Sequence, residues 1–267
     1  MRRLRIAVLS ALVGLGLWSP VAAQESALRR LDTGDDSRGW EAVGRLNIGA
    51  RGFCTGALIA PDLVLTAAHC LFDRATGARV AASEIEFLAG WRNGRAVAYR
   101  GVKKAVTHPD YAFAEPDQIG RVAHDLALLE LDKPIRLPSI RPFETGPNPA
   151  KGDAVGVVSY AKDRSEAPAL QDLCHVLARQ PGVLILSCSV DFGSSGAPIF
   201  VTQGGVARIV SVVSAKAEMT GQKVALGTSI AAPLADLRAA LARGDGVRAG
   251  DPLPRDPGAK GAKFLRP

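Results

Sequence analysis

The chain has 267 residues, of which 47% are hydrophobic, 22% are charged and 5% are aromatic. This apolar fraction is ordinary for a globular protein and excludes a wholly disordered chain, a coiled coil or a collagen. The net charge is +7, or +4 without three arginines near the N-terminus, and no basic stripe is interleaved with aromatic residues. The composition therefore predicts no nucleic-acid partner.

The first 23 residues have the pattern of a secretory signal peptide. Arg2, Arg3 and Arg5 precede the apolar run 6–17, which is too short for a membrane span of about 20 residues. The small residues of Val21-Ala22-Ala23 predict cleavage after Ala23. We therefore expect an exported protein, secreted or periplasmic, without membrane attachment after signal cleavage.

The rest of the chain divides by composition. Residues 24–38 are polar and predict an exposed leader or propeptide. Short apolar runs fill about 39–140 and again about 150–230, and a proline-rich stretch separates the two sets. Many short strands with turn signals predict an all-β protein in two halves, built as sandwiches or barrels. The runs are Val43–Ile48, Cys54–Ile59, Leu63–Thr66, Ile85–Leu88, Val102–Thr107, Leu126–Leu131, Ala154–Tyr160, Val183–Ser187, Pro198–Val201, Ala207–Ser214 and Val224–Ile230.

One helix is predicted near the C-terminus, over about residues 232–243. Leu234, Leu237 and Leu241 share one helical face, Pro233 suits the first turn, and Gly244 suits the end of the helix. The main domain is therefore expected to span 39–245. Residues 246–267 are rich in Gly, Pro and charge, and predict a flexible tail.

The four cysteines predict disulfides. Cys54, Cys70, Cys174 and Cys188 permit three pairings, and export to an oxidising compartment favours pairing. Pairing of sequence neighbours would close two short loops, each worth about 3 kcal/mol in the chain-entropy model. The sequence has no Cys-x-x-Cys and no His-Glu-x-x-His, so we expect no zinc or other metal site.

Three segments contain residue types that nucleophilic catalysis uses. His69 follows an apolar run, Asp125 precedes another, and Ser195 lies between Gly193 and Gly196. Taken alone, each has a structural interpretation: a hydrogen-bonded histidine, a capped strand and a flexible loop. Taken together they match one chemistry, because a serine hydroxyl needs a base, and the base needs an acid that fixes its tautomer.

The order His69, Asp125, Ser195 and the stretches Phe53–Ile59 and Leu65–Cys70 resemble the serine proteases of the trypsin/chymotrypsin fold. Among the bacterial members, the chain is similar to the secreted peptidases related to glutamyl endopeptidases. The resemblance implies two antiparallel six-stranded β-barrels, with a catalytic cleft between them and a C-terminal helix. It also places Cys54 and Cys70 at the positions of the family's first disulfide.

The resemblance implies a secreted serine endopeptidase that forms an acyl-enzyme with polypeptide substrates and needs no cofactor. Ser195 would attack the peptide carbonyl, His69 would take its proton, and Asp125 would orient His69. The N–H groups of Gly193 and Ser195 would hold the oxyanion. A catalytically silent homologue acting as a binding module, and an esterase with the same triad, remain alternatives. The sequence does not define the oligomeric state; a monomer is favoured.

The sequence departs from the digestive enzymes beside the nucleophile and in the specificity pocket. Ser194 stands where those enzymes have an aspartate that is buried against a newly cut N-terminus. The pocket positions are Ser189, Val190, Asp191, Ser214 and Lys216. Because Ser189 is neutral, we expect a neutral or small apolar side chain before the scissile bond. Selection of an acidic side chain by Lys216 or Lys223, or of a basic one by Asp191, remains open.

Overall fold

The computed structural model describes residues 25–50 and 52–251. The predicted signal peptide and most of the predicted tail lie outside the described residues. The described chain is mostly β, with two short 3₁₀ turns, Ala68–Leu71 and Ala82–Glu84. The strands are β1 (Arg29–Arg30), β2 (Val43–Ile48), β3 (Phe53–Ala60), β4 (Leu63–Thr66), β5 (Ile85–Ala89), β6 (Ala98–Thr107), β7 (Ala127–Leu131), β8 (Ala154–Ala161), β9 (Arg164–Gln180), β10 (Val183–Leu186), β11 (Pro198–Gln203), β12 (Val206–Met219), β13 (Gln222–Ser229) and β14 (Val247–Arg248); the α-helices are α1 (Gln118–Ala123) and α2 (Pro233–Arg243).

The strands form two closed antiparallel rings of six. In the first ring the order is β6-β5-β2-β3-β4-β7, and β7 closes it by pairing with β6. In the second the order is β9-β10-β13-β12-β11-β8, and β8 closes it by pairing with β9. Strands β14 and β1 each add to the outside of one ring. The predicted all-β fold with two six-stranded barrels is confirmed.

Each barrel is filled by the inward-facing residues of its strands. Leu46, Leu58 and Phe87 are fully buried in the first barrel, and Val157 and Ile199 are fully buried in the second. Strands such as β3, β10 and β13 are buried along most of their length, so they appear in the sequence as continuous apolar runs, which accounts for the success of the apolar-run prediction. The barrels meet at an aromatic cluster of Trp40, Phe143 and Phe200.

Strand β9, helix α1 and the two-residue strands β1 and β14 were not predicted. Strand β9 has 17 residues and was missed because Glu166, Pro168, Asp172 and Arg179 interrupt its apolar pattern. Its backbone is paired on both sides, with β8 and β10. These backbone hydrogen bonds stabilise the strand, although its side chains do not show the apolar pattern of a strand. Helix α1 was also missed; it is short and begins at a cap formed by the Asp117 side chain.

The two ends of the described chain pack on the barrels. The predicted exposed leader pairs through β1 with β9, and Leu31 within it is fully buried; its removal as a propeptide stays a prediction. Helix α2 ends at Arg243 and is capped by Gly244, the predicted stop, which has φ +89°. The chain beyond it was expected to be mobile, but Val247 and Arg248 pair with β6 as strand β14. In the described ranges, we find no helix with both the length and the hydropathy needed to cross a membrane.

Candidate active site

A cleft of about 400 Å³ lies between the two barrels. His69 and Asp125 line it from the first barrel, and Ser195 and Ser214 line it from the second. The structure therefore brings the three sequence-predicted catalytic residues to one cavity. Further lining residues, which sequence reasoning did not identify, are Arg74, Tyr111, Phe113, Arg121 and Phe192.

His69 is placed by the short turn that follows β4. The turn Ala68–Leu71 carries His69 in its second position. A disulfide joins Cys70, the next residue, to Cys54 on β3, and the second disulfide joins Cys174 to Cys188. The pairing is therefore the local one. Two constraints, the strand and the disulfide, hold the histidine backbone while its ring faces the cleft.

Asp125 lies between α1 and β7 and its side chain is 3% exposed. It accepts three hydrogen bonds: from the His69 backbone N–H at 2.8 Å, from the ring nitrogen His69 Nδ1 at 2.6 Å, and from the hydroxyl of Ser214. A buried carboxylate is costly unless it is hydrogen-bonded, and here each contact stabilises the charged form. Because Nδ1 donates to Asp125, the other ring nitrogen, Nε2, is left as the proton acceptor.

Ser195 lies in a tightly packed loop, residues 191–196, of the second barrel. Gly193 has φ +98° and Gly196 has φ +79°, and a Cβ at either position would overlap the first barrel, at Phe53 or at Thr66 and Thr55. Only glycine suits such angles at such close approach. Thr55 holds the loop directly: its N–H donates to Ser195 O at 2.8 Å and its hydroxyl donates to Gly193 O at 2.8 Å.

Within the described ranges, the Ser195 hydroxyl and two N–H groups of this loop lack a protein partner. Across the described ranges, Ser195 Oγ makes no hydrogen bond to His69, and the N–H groups of Gly193 and Ser195 have no protein acceptor. Catalytic hydrogen bonds often form only when substrate is bound, so the open geometry is compatible with a proton transfer between the two side chains. Two free N–H groups in one short loop beside a serine can together bind a negatively charged oxygen.

The predicted pocket residues divide between two cavities. Val190, Asp191, Ser214 and Lys216 line the cleft, whereas Ser189 lines a second cavity of about 400 Å³ that shares Val190, Asp191 and Lys216 with it. Lys216 Nζ lies 2.7 Å from Asp191 Oδ1. The Lys216 ammonium and the Phe192 N–H, both donating to the Asp191 carboxylate, lower its pKa below the ordinary aspartate value. The ion pair therefore stands between the cleft and the cavity behind it.

Tyr111 and Thr55 are site residues that sequence reasoning missed. The Tyr111 hydroxyl is buried at the cleft wall and has no hydrogen-bond partner in the described chain. Burial, with a smaller contribution from the Asp125 charge, raises the pKa of Tyr111 above its ordinary value. Nothing in the sequence marks Tyr111, whereas Thr55 lies inside the quoted stretch Phe53–Ile59 and follows the disulfide cysteine.

In the part of the chain that the structure describes, two groups of side chains resemble metal-ligand clusters. Cys54, His69 and Cys70 lie together, but both sulfurs are in the disulfide and offer no thiolate. His108 and His124 stack with ring centroids 5.1 Å apart, and Asp110 lies nearby. Burial, and then the neighbouring His124, lower the pKa of His108.

Two antiparallel six-stranded barrels with a cleft between them define the chymotrypsin-like fold class. The Trypsin family profile matches residues 33–179, more than half of the chain, and the chain belongs to this family. The matched residues include His69 and Asp125 and end before Ser195.

A curated relative and a solved structure point to the same branch of the family. The chain is 25% identical to a glutamyl endopeptidase of Bacillus licheniformis over 150 residues, which cover 56% of this chain and 45% of that protein. The chain thus matches less than half the length of that relative. The structure of a Glu endopeptidase in complex with MPD has a TM-score of 0.66 and 19% identity, and the match covers 80% of this chain and 96% of that one.

Proposed function

We propose that the protein is an exported serine endopeptidase that hydrolyses peptide bonds through an acyl-enzyme. Membership of the trypsin family supports a peptidase. The observation that carries the finer proposal is the His69 ring, held 2.6 Å from the buried Asp125 carboxylate in the same cleft as Ser195. This arrangement presents a base to a hydroxyl beside two free backbone donors.

In the proposed reaction, Ser195 Oγ bonds to the substrate carbonyl carbon while its proton passes to His69 Nε2. The carbonyl oxygen becomes an oxyanion, held by the N–H groups of Gly193 and Ser195, and loss of one such donor costs about 3–4 kcal/mol of transition-state stabilisation. His69 then protonates the leaving amine, and the acyl-enzyme remains. Water, deprotonated by His69, attacks the ester carbonyl carbon, and His69 returns the proton to Ser195 Oγ as the ester bond breaks and the acid product leaves. Asp125 keeps its charge throughout and stabilises the imidazolium.

Export is supported by the two disulfides, which are typical of oxidising compartments. The predicted signal peptide agrees with this proposal, although it lies outside the described residues. Polypeptides are the expected partners, and a monomer stays the favoured state.

We further propose a neutral or small side chain before the scissile bond. The relative's name, glutamyl endopeptidase, favours an acidic side chain instead, with Lys216 as its partner. In this chain Lys216 and Asp191 pair with each other, so a charged substrate side chain would have to compete with this ion pair. Profiling with a peptide library checks the preference; predominant cleavage after Glu or after Arg and Lys would contradict it.

The catalytic proposal is tested with a fluorophosphonate probe that labels activated serines. The wild-type protein is expected to be labelled at neutral pH and to cleave casein, and Ser195→Ala should abolish both. Ser139→Ala, which removes an exposed serine outside the cleft, is the control and should behave as wild type. Absence of wild-type labelling would favour the silent binding module, and labelling with hydrolysis of esters alone would favour the esterase.

A further inference from the structure

A buried arginine lies directly beneath the proposed nucleophile loop. Arg164 begins β9 and is 6% exposed, although arginine is rarely buried without full pairing. One of its nitrogens, Nη2, donates to Ser194 Oγ and to Ser159 Oγ, both at 3.2 Å. Ser194 is fully buried and precedes Ser195 in the chain. The guanidinium therefore contacts the residue next to the proposed nucleophile.

The charge of Arg164 is poorly compensated. Its acidic partner is Asp163, at 3.0 Å, but that side chain is 70% exposed and its charge is screened by solvent. The Arg164 Nε atom is buried and has no partner in the described chain. Burial lowers the pKa of Arg164 below the ordinary arginine value. Such a group is a poor source of stability, because desolvation of an incompletely paired charge offsets its hydrogen bonds.

The hydrogen bonds of Ser194 connect Arg164 to the backbone of the loop 191–196. Its hydroxyl accepts from Arg164 and from the Asp191 N–H at 3.3 Å, and the Tyr160 carbonyl lies 3.3 Å away as an acceptor. The Ser194 N–H also donates to Asp191 O at 2.9 Å. Two hydrogen bonds between Asp191 and Ser194 therefore close the turn 191–194. The free Gly193 N–H belongs to a peptide inside this turn, and the free Ser195 N–H belongs to the peptide that follows Ser194.

We infer that Arg164 is a positioning residue, which acts through Ser194 to hold the Gly193 and Ser195 N–H groups toward the cleft. This inference depends on the proposed peptidase function. In the digestive enzymes a newly cut N-terminus contacts the residue before the nucleophile. In this arrangement the Arg164 guanidinium, from the same barrel as Ser194, makes that contact instead. The role of the Ser194 hydroxyl is to link that cation to the loop.

The inference is tested by Arg164→Met, which keeps an unbranched stem of similar bulk and removes the guanidinium with its charge and hydrogen bonds. We expect the rate of fluorophosphonate labelling and kcat for a peptide ester to fall about 10- to 100-fold, below the loss of about 10²–10³ for a deleted oxyanion donor. KM should stay within about threefold, and the inhibition constant of a peptide boronate should rise in proportion to the loss of kcat/KM. The melting temperature should hold or rise, since a poorly paired buried charge is removed.

Two further variants separate positioning from folding. Ser194→Ala leaves Arg164 in place and should reproduce the kinetic loss, and Arg164→Met/Ser194→Ala should lose no more than the larger single effect. Ser194→Asp, which offers the guanidinium a carboxylate, should retain more activity than Ser194→Ala. The matched control is Arg208→Met on the same barrel, which removes an arginine paired with Glu144 and should leave kcat unchanged.

The outcomes distinguish this inference from the proposed function. If the wild type is labelled and both Arg164→Met and Ser194→Ala are labelled at the wild-type rate, the inference is wrong and the peptidase proposal stands. A fall in kcat that runs parallel to a fall in melting temperature, with the boronate affinity unchanged, also overturns it. A wild type that is not labelled overturns the peptidase proposal, and the inference with it.

Discussion

The two sides of the cleft differ in how their polar groups are satisfied. On the first-barrel side, Asp125 accepts three hydrogen bonds and orients His69 through two of them. On the second-barrel side, Ser195 Oγ has no hydrogen bond to His69, and the N–H groups of Gly193 and Ser195 have no acceptor in the described chain. The protein thus pairs the buried carboxylate and, among the described residues, leaves unpaired the groups that we propose meet the substrate.

The largest expected effect comes from the paired side. Asp125→Asn removes the charge and lets the His69 ring adopt the tautomer that carries its proton on Nε2, so kcat should fall about 10³- to 10⁴-fold. The measurement is kcat on a peptide ester with folding checked by circular dichroism. Asp236→Asn is the matched control, because Asp236 faces a different histidine, His108, at 3.7 Å. A loss below about tenfold would mean that another group orients His69.

The disulfides allow the two barrels to be compared directly. Removing either pair, Cys54–Cys70 or Cys174–Cys188, should lower the free energy of unfolding by about 3 kcal/mol, since the loops are of similar size. Only the first pair adjoins His69, so only C54A/C70A should also lower kcat, by about tenfold or more. Urea unfolding and kcat, both measured well below the melting temperature, check this. Equal kinetic losses in both variants would refute the proposed link between the disulfide and the histidine.

A smaller effect is expected at Tyr111, whose buried hydroxyl at the cleft wall has no hydrogen-bond partner among the described residues. If substrate supplies its partner, Tyr111→Phe should raise KM severalfold and leave kcat nearly unchanged. The variant should also be as stable as wild type or more so, because an unpaired buried hydroxyl costs about 1–3 kcal/mol. Tyr99→Phe serves as the control for a tyrosine outside the cleft, and an unchanged KM in Tyr111→Phe would show that substrate does not use the hydroxyl.

The smallest expected effect concerns pH and His108. Its pKa is lowered in the folded state, so the unfolded chain binds the proton more readily. The stability linked to neutral His108 is present above the ordinary histidine pKa, about 6.5, and is lost as pH falls below it. Melting temperatures at pH 7.5 and 5.5 should therefore differ more for wild type than for His108→Gln. An equal decrease in melting temperature between pH 7.5 and 5.5 in both proteins would show that groups other than His108 cause it.

Much of the fold could be predicted because apolar periodicity reports directly on burial. Strands β2 and β4 have the predicted bounds, and the other predicted runs overlap strands. The long strand β9 could not be found in this way, since its order comes from pairing on both sides. The same reason applies to β1 and β14, each two residues long and held by a neighbour in the sheet.

At the candidate site, local sequence patterns determined by themselves which residue types could react: a histidine after a strand, an aspartate before a strand and a serine between glycines. Tertiary structure alone decided which groups are paired. It placed Ser214 against Asp125, Lys216 against Asp191, and Arg164 against Ser194. These partners are between 25 and 89 residues apart in the chain. Hydrogen bonds depend on distance and direction in space, which a linear pattern does not encode until the barrels have closed.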